Sequence, residues 1–160
     1  MFWLVALIIV LPFALVLLVG APYLPTRKKQ ANQALDLLDL KKGDLVVDLG
    51  SGDGVVLVQA AKRGLRAVGY ELNPLVFALS YLRVLPHRKL VKVRYGNFWN
   101  AKLSEDTKGV FVFLLDPYMK KLDQKLAKEL QKGTKLVSYT FDIPGKKPIK
   151  SHDALNLYRY

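Results

Sequence analysis

The stretch Asp48-Leu49-Gly50-Ser51-Gly52-Asp53-Gly54 constrains this chain more than any other. Three glycines at alternate positions stand between an apolar run, Leu45-Val46-Val47, and a helix-forming run, Val55 to Arg63. Glycine turns the backbone sharply without steric cost and lets a ligand approach bare main chain. The segment therefore predicts a strand, a tight turn and a helix whose N-terminus points at a ligand. Seventeen residues beyond Gly54, Glu71 closes a second apolar segment, Ala67-Val68-Gly69-Tyr70, which reads as the next parallel strand. A carboxylate only accepts hydrogen bonds, so Glu71 suits the two adjacent hydroxyls of a ribose. A nucleoside cofactor is the expectation. The plainer alternative is a glycine-rich turn of structural value, with Glu71 facing solvent and Asn73 capping a helix that carries Pro74 at its first position.

The first twenty residues set a second constraint. They contain no charged side chain, and Met1 to Val19 is apolar apart from Pro12. As a helix rising about 1.5 Å per residue, this run would measure roughly 28 Å, close to the bilayer core of about 30 Å. It predicts a transmembrane anchor over residues 1–20, ahead of a single domain over residues 21–160. A cleaved secretory signal fits less well, because a charged n-region is missing and the apolar stretch is too long. Arg27, Lys28 and Lys29 follow closely, so the positive-inside rule puts the domain in the cytoplasm or an organelle matrix. All 25 Lys plus Arg and all 13 Asp plus Glu lie beyond residue 20, which gives that domain the full formal charge of +12. Such a domain is drawn to anionic surfaces, of which lipid headgroups are the nearest and nucleic acid the other. The charge also serves solubility alone. With no Cys and only two His residues, disulfides, thiol catalysis and a Cys-based or His-based metal site are not expected.

Along the domain, strand and helix signals alternate, which predicts an α/β fold with a mainly parallel sheet and helices on both faces. Helices are expected over 33–40, 54–63, 74–84 and 120–131. Strands are expected over 45–50, 66–71, 90–95, 110–115 and 135–141, with a final strand over 154–160. The third mixes Lys92 and Arg94 with apolar residues as an edge strand does, whereas Val110 to Leu115 is unbroken and should be central. Residues 41–44 and 144–150 read as loops. Ligands of open α/β sheets gather at the carboxyl ends of the strands. That brings forward Asn97 and Phe98 after the third strand, and Asp116 and Tyr118 after the fourth. The Asn97 amide offers a donor and acceptors to an adenine edge, and Phe98 offers a ring to stack on it. A turn Asn and a core aromatic are the competing readings.

The G-x-G-x-G spacing behind Asp48 differs from the G-x-G-x-x-G of dinucleotide folds and resembles the class I S-adenosylmethionine (SAM) dependent methyltransferases. Further motifs narrow the resemblance: Pro25-Thr26, DLGSGDG at 48–54, GYELNP at 69–74, Phe98-Trp99, and Phe113 to Leu130 ending KLAKEL. Together, over about residues 22 to 143, they resemble the membrane-anchored, mitochondrial-type protein lysine methyltransferases that modify the adenine nucleotide translocase and the ATP synthase c subunit, with their prokaryotic relatives. The resemblance implies a Rossmann-like class I methyltransferase fold, SAM as methyl donor, and a lysine amine of a membrane protein as acceptor. The expected cofactor contacts are Asp48, Gly50, Ser51, Gly52, Gly54, Glu71, Leu72, Asn97 and Phe98, with Asn97 standing where these enzymes often have Asp. Asp116 and Tyr118 are the expected catalytic pair, the first to receive a proton or orient the amine, the second to line its channel. For Asp116 the competing reading is a helix cap. Asp116-Pro117-Tyr118-Met119 departs from the family's usual Pro, acid or Gln, Met pattern, which points to a different substrate choice. It also resembles a D-P-P-Y loop with one Pro missing, which keeps nucleic-acid amine methylation as an alternative. A lipid methyltransferase and a SAM-binding membrane scaffold are the remaining ones.

Overall fold

The computed structural model describes residues 25–160. The expected membrane span at residues 1–20 lies outside them, and among the described residues no helix is long and apolar enough to cross a membrane. The elements run α1 (Lys28–Leu38), β1 (Leu45–Leu49), α2 (Val55–Lys62), β2 (Arg66–Glu71), α3 (Pro74–Val84), β3 (Val91–Tyr95), β4 (Thr107–Val112), α4 (Asp116–Glu129), β5 (Lys135–Tyr139), β6 (Lys150–His152) and β7 (Leu155–Arg159). They form one seven-stranded sheet in the order β3-β2-β1-β4-β5-β7-β6. The first five strands are parallel, and β7 pairs antiparallel with both β5 and β6.

Alternation along each strand sends side chains to two separate cores. One holds Val46, Ala67, Val91, Phe111 and Val137 under α1, α2 and the end of α3. The other holds Leu45, Val47, Leu49, Val110, Val112 and Leu136 against Met119, Leu122 and Leu126, the apolar stripe of α4. The strands β1 and β4 are therefore largely apolar, as strands covered on both faces must be. The chain runs β1 to β3 in one direction and then crosses back to β4 on the other side of β1. This reversal opens a crevice at the carboxyl ends of β1 and β4, the place where such sheets take ligands.

Four elements differ most from the sequence expectation. Strand β4 starts at Thr107 and stops at Val112, because its partner β1 ends with the Leu49 to Val112 register, so Phe113 to Leu115 leave the ladder. Helix α4 then begins at Asp116, four residues before the expected start; Pro117 sits in its first turn, where an N–H has no helical partner in any case. Helix α1 begins at Lys28 rather than residue 33. Strand β6, which the sequence reading did not foresee, begins at the last residue of a stretch read as loop and runs to His152; all three of its residues are exposed, so no apolar alternation marks it. As expected, β3 is an edge strand and β4 is central.

Candidate functional site

The turn after β1 is fastened to β2 by its own amides. The N–H groups of Gly50 and Ser51 both donate to the Tyr70 carbonyl, at 3.1 and 2.8 Å, and that of Gly54 closes the turn on Ser51 O at 2.9 Å. Gly52 N–H donates to Glu71 Oε2 at 2.9 Å, while Asn73 N–H donates to Oε1 at 2.8 Å. Glu71 thus ties the glycine turn to the start of α3, a role the sequence did not reveal. Each of its oxygens keeps a further lone pair for ribose hydroxyls. Asn73 caps α3 as expected, its Oδ1 accepting from Leu75 N at 3.0 Å and Val76 N at 3.2 Å.

The glycines divide between two duties. Gly50 has φ +91°, and a Cβ there would meet nothing within 4 Å, so open space lies above the turn. Gly54 has φ +82°, and a Cβ there would come within 2.6 Å of Ser80 Oγ. It is needed for close packing of the turn on α3. Ser51 turns its side chain inward, against the place where a Gly69 Cβ would stand, and its hydroxyl has no partner among the described residues. Leu72, next to Glu71 in the chain, is half-buried.

Electrostatics separate the ligand classes. Asp48 is 2% exposed and Glu71 8% exposed, and among the described residues no cationic side chain forms an ion pair with either. Burial, followed by the charges of Glu71 and Asp53, pushes the Asp48 carboxyl well above its ordinary range. Burial also raises Glu71, with the amides of Asn73, Gly52 and Leu72 opposing it. With the amides of Gly50, Ser51, Gly52 and Gly54 already bound within the fold and the buried carboxyl groups of Asp48 and Glu71 beside them, the site disfavours a pyrophosphate. It suits a ligand with a ribose and positive charge. SAM carries both, as a nucleoside with a sulfonium and an α-ammonium. The residues present fit it: the open space at Gly50 would admit the nucleoside, Glu71 would offer acceptors to the ribose, and the buried Asp48 carboxyl would gain a cationic partner.

Past β3 the chain makes a short 3-10 turn over Phe98–Asn100, started by Asn97, whose Oδ1 accepts from Trp99 N at 3.0 Å. Asn97 is thus a turn cap as well as a half-buried candidate for the adenine edge; its Nδ2 donors are not used by the cap. The ring centroids of Phe98 and Trp99 are 4.6 Å apart, those of Trp99 and Tyr118 6.4 Å. This aromatic row joins the turn after β3 to the first turn of α4. Asp116 is exposed at the start of α4 and makes no cap hydrogen bond; the N-cap position is Leu115. The capping alternative for Asp116 is therefore absent. Sequence reading missed the clamp beneath this row. Lys125 Nζ donates to Ala101 O at 2.5 Å and to Glu129 Oε1 at 2.6 Å, and Glu129 Oε2 accepts from Leu103 N at 2.9 Å. The i, i+4 spacing of the pair is visible in the sequence, but the carbonyl and amide it holds are not. Asp53, paired with Arg83 of α3, was likewise not singled out.

Comparison with known proteins agrees with this chemistry. The family profile described as the ANTKMT methyltransferase domain matches residues 48–150. A protein-lysine N-methyltransferase of Saccharolobus islandicus is 38% identical over 134 residues, covering 79% of this chain and 81% of that protein. The lysine N-methyltransferase of the ATP synthase c subunit from Xenopus laevis is 35% identical, covering 79% of this chain. The mouse adenine nucleotide translocase lysine N-methyltransferase is 37% identical over 80% of this chain. The chain spans only 56% of the length of each of these two animal relatives. Among solved structures, an RNA methyltransferase from Salinibacter ruber with bound S-adenosyl-L-homocysteine superposes with a TM-score of 0.79 and 31% identity, covering 86% of this chain and 92% of that one. The chain belongs to the ANTKMT methyltransferase family and is a SAM-dependent protein-lysine methyltransferase.

Proposed function

We propose that this enzyme methylates the ε-amine of a lysine in a membrane-embedded protein, with residues 1–20 as a single-pass anchor and the catalytic domain on the cytoplasmic or matrix side. The observation that carries the cofactor half is the spent amides of the glycine turn beside two buried, cation-free carboxylates. The membrane half is supported by the uncharged run Met1 to Val19, by Arg27 to Lys29 behind it, and by relatives named for lysines of the ATP synthase c subunit and the adenine nucleotide translocase.

Bound in the cradle, SAM supplies an electrophilic methyl group on a positively charged sulfur. The work left to the protein is on the acceptor. A lysine with an ordinary pKa of about 10.4 must lose its proton, at a cost of about 4.6 kcal/mol at pH 7, from 1.36 kcal/mol per unit. A channel that excludes water lowers that cost, because desolvation disfavours the ammonium. Tyr118 and Trp99 offer an aromatic wall for such a channel, with the Lys121 ammonium over the Trp99 ring, and the exposed Asp116, two residues before Tyr118 and free of cap bonds, is the group to orient the amine and accept its proton.

The test is incubation of the full chain with methyl-labelled SAM and membranes of the source organism, followed by protease, RNase and lipid extraction. The expected result is label in a protease-sensitive membrane protein, lost with Glu71→Gln and reduced about tenfold, or 1.4 kcal/mol, with Asp116→Ala at unchanged SAM affinity. Label in RNA or lipid instead overturns the acceptor. Full turnover by Asp116→Ala removes its catalytic role.

A further inference from the structure

Helix α3 is apolar on the wrong side for a helix that packs only inward. Val76, Ser80 and Val84 are buried, whereas Leu75, Leu79 and Leu82, and Leu85 just past the helix end, are exposed. Leu79 is 60% exposed and Leu82 63%, and Tyr81 beside them is half exposed. A helix that is apolar all round is normally buried on all sides, and a contiguous exposed patch of this kind marks an interaction surface. Two observations say what covers it. Cations flank it: Arg88 and Lys89 follow its C-terminal end, while Lys28 and Lys62 line one shallow depression together with Arg83 of α3, which is paired there with Asp53. The second is where the chain enters the described fold. Lys28, at the start of α1, lines the same depression as Arg83 of α3, and the uncharged segment Met1 to Val19 stands shortly before it in sequence. Residues 20–27 intervene, and eight residues reach at most about 29 Å when extended.

We infer that the outer face of α3 lies in the headgroup region of an anionic bilayer, with Leu79 and Leu82 in the acyl boundary and Lys28, Lys62, Arg88 and Lys89 on the phosphates. Leucines facing outward and cations at the rim are the composition of an interfacial helix. The docking fixes the domain's orientation: α3 carries Asn73 and the Glu71 contact at its N-terminus, so the SAM cradle is held close to the membrane plane, within reach of lysines at the surface of an embedded protein. This deepens the membrane part of the proposed function and rests on it for the nature of the substrate, not for the lipid contact.

The chain has no Cys, so single-Cys variants report on one position each. Leu79→Cys, Leu82→Cys and, as a distant control, Lys132→Cys are labelled with an environment-sensitive fluorophore in the full chain, reconstituted in phosphatidylcholine vesicles with about 30 mol per cent phosphatidylserine, a composition of roughly physiological charge. The expected result is blue-shifted emission at 79 and 82, quenched several-fold more by lipid-borne nitroxide than at 132, and protected from aqueous iodide. Iodide quenching at 79 and 82 equal to that at 132 overturns the inference. Protection from both quenchers also overturns it, because the face is then covered by protein, either residues 1–20 or a second copy. Undiminished nitroxide quenching in pure phosphatidylcholine overturns the part given to the cations. None of these readings needs turnover: membrane-protein methylation with 79 and 82 in water spares the proposed function and removes the docking face, and lipid contact with label only in RNA does the reverse.

Discussion

Asp48 is the residue whose state depends most on what fills the site. It is buried at the carboxyl end of β1 with Glu71 and Asp53 nearby, and its carboxyl is raised well above the ordinary range. A raised carboxyl holds its proton more tightly folded than unfolded. The ligand-free fold therefore loses stability as pH rises from the ordinary Asp value through the raised one. A cationic ligand reverses the preference, because it pairs with the carboxylate, so SAM affinity rises over the same interval. Asp48→Asn separates the two effects. Isothermal titration is expected to give SAM binding about tenfold weaker at neutral pH, about 1.4 kcal/mol, with its pH dependence in that interval flattened. The ligand-free thermal midpoint at neutral pH is expected to stay level or rise, since a buried uncompensated charge is gone. A wild-type SAM affinity that does not change with pH through the acid and neutral range excludes this role for Asp48.

At the scale of elements, α4 both closes one core and clamps the aromatic row. Lys125 has little solvent around it and holds the Ala101 carbonyl and Glu129, while Glu129 holds the Leu103 amide. The turn that presents Asn97, Phe98 and Trp99 is thus braced from a helix that lies well beyond it in the chain. Lys125→Met leaves a carbonyl and a carboxylate without their donor, a loss of about 1–3 kcal/mol. The expected outcome is faster hydrogen exchange at Trp99 and Leu103 with the β1 and β2 amides unchanged, weaker SAM binding, and a thermal midpoint lower by roughly 2–4 °C per kcal/mol. Uniformly faster exchange across the sheet would mean that Lys125 supports the whole fold rather than this turn.

Over the whole molecule, charge and chemistry occupy different places. The formal charge of +12 sits mainly on exposed Lys and Arg, whereas the cradle is buried and acidic. Salt screens the first strongly and the second little, the Debye length being about 10 Å at 0.1 M and about 3 Å at 1 M. Raising salt from roughly 0.05 to 0.5 M is therefore expected to lower the rate of methylation of membrane-embedded protein several-fold while leaving the SAM dissociation constant within about twofold. Parallel losses in both would place the screened charges inside the cofactor site.

The residues that announced the fold were those whose local chemistry allows one solution. DLGSGDG could turn only between a strand and a helix, Asn73-Pro74 could only start a helix, and the unbroken Val110-Phe111-Val112 belonged in the middle of a sheet. Glu71, Gly50 and Asn97 were legible as candidates for a ligand because each follows or closes a strand whose direction the alternation fixes. Other features came from contacts between residues far apart in sequence. The end of β4 at Val112 follows from the length of β1, β6 is an exposed strand held only by β7, and Glu71 binds an amide 19 residues away. The Lys125 and Glu129 clamp, the packing of Gly54 on Ser80 and the outward leucines of α3 have the same origin. Periodicity and turn chemistry act over a few residues and specify most of the elements and the strand ends at which a ligand is expected. Which amides are already spent, which carboxylates lack a cation and which apolar face lacks a cover are decided only when the elements meet.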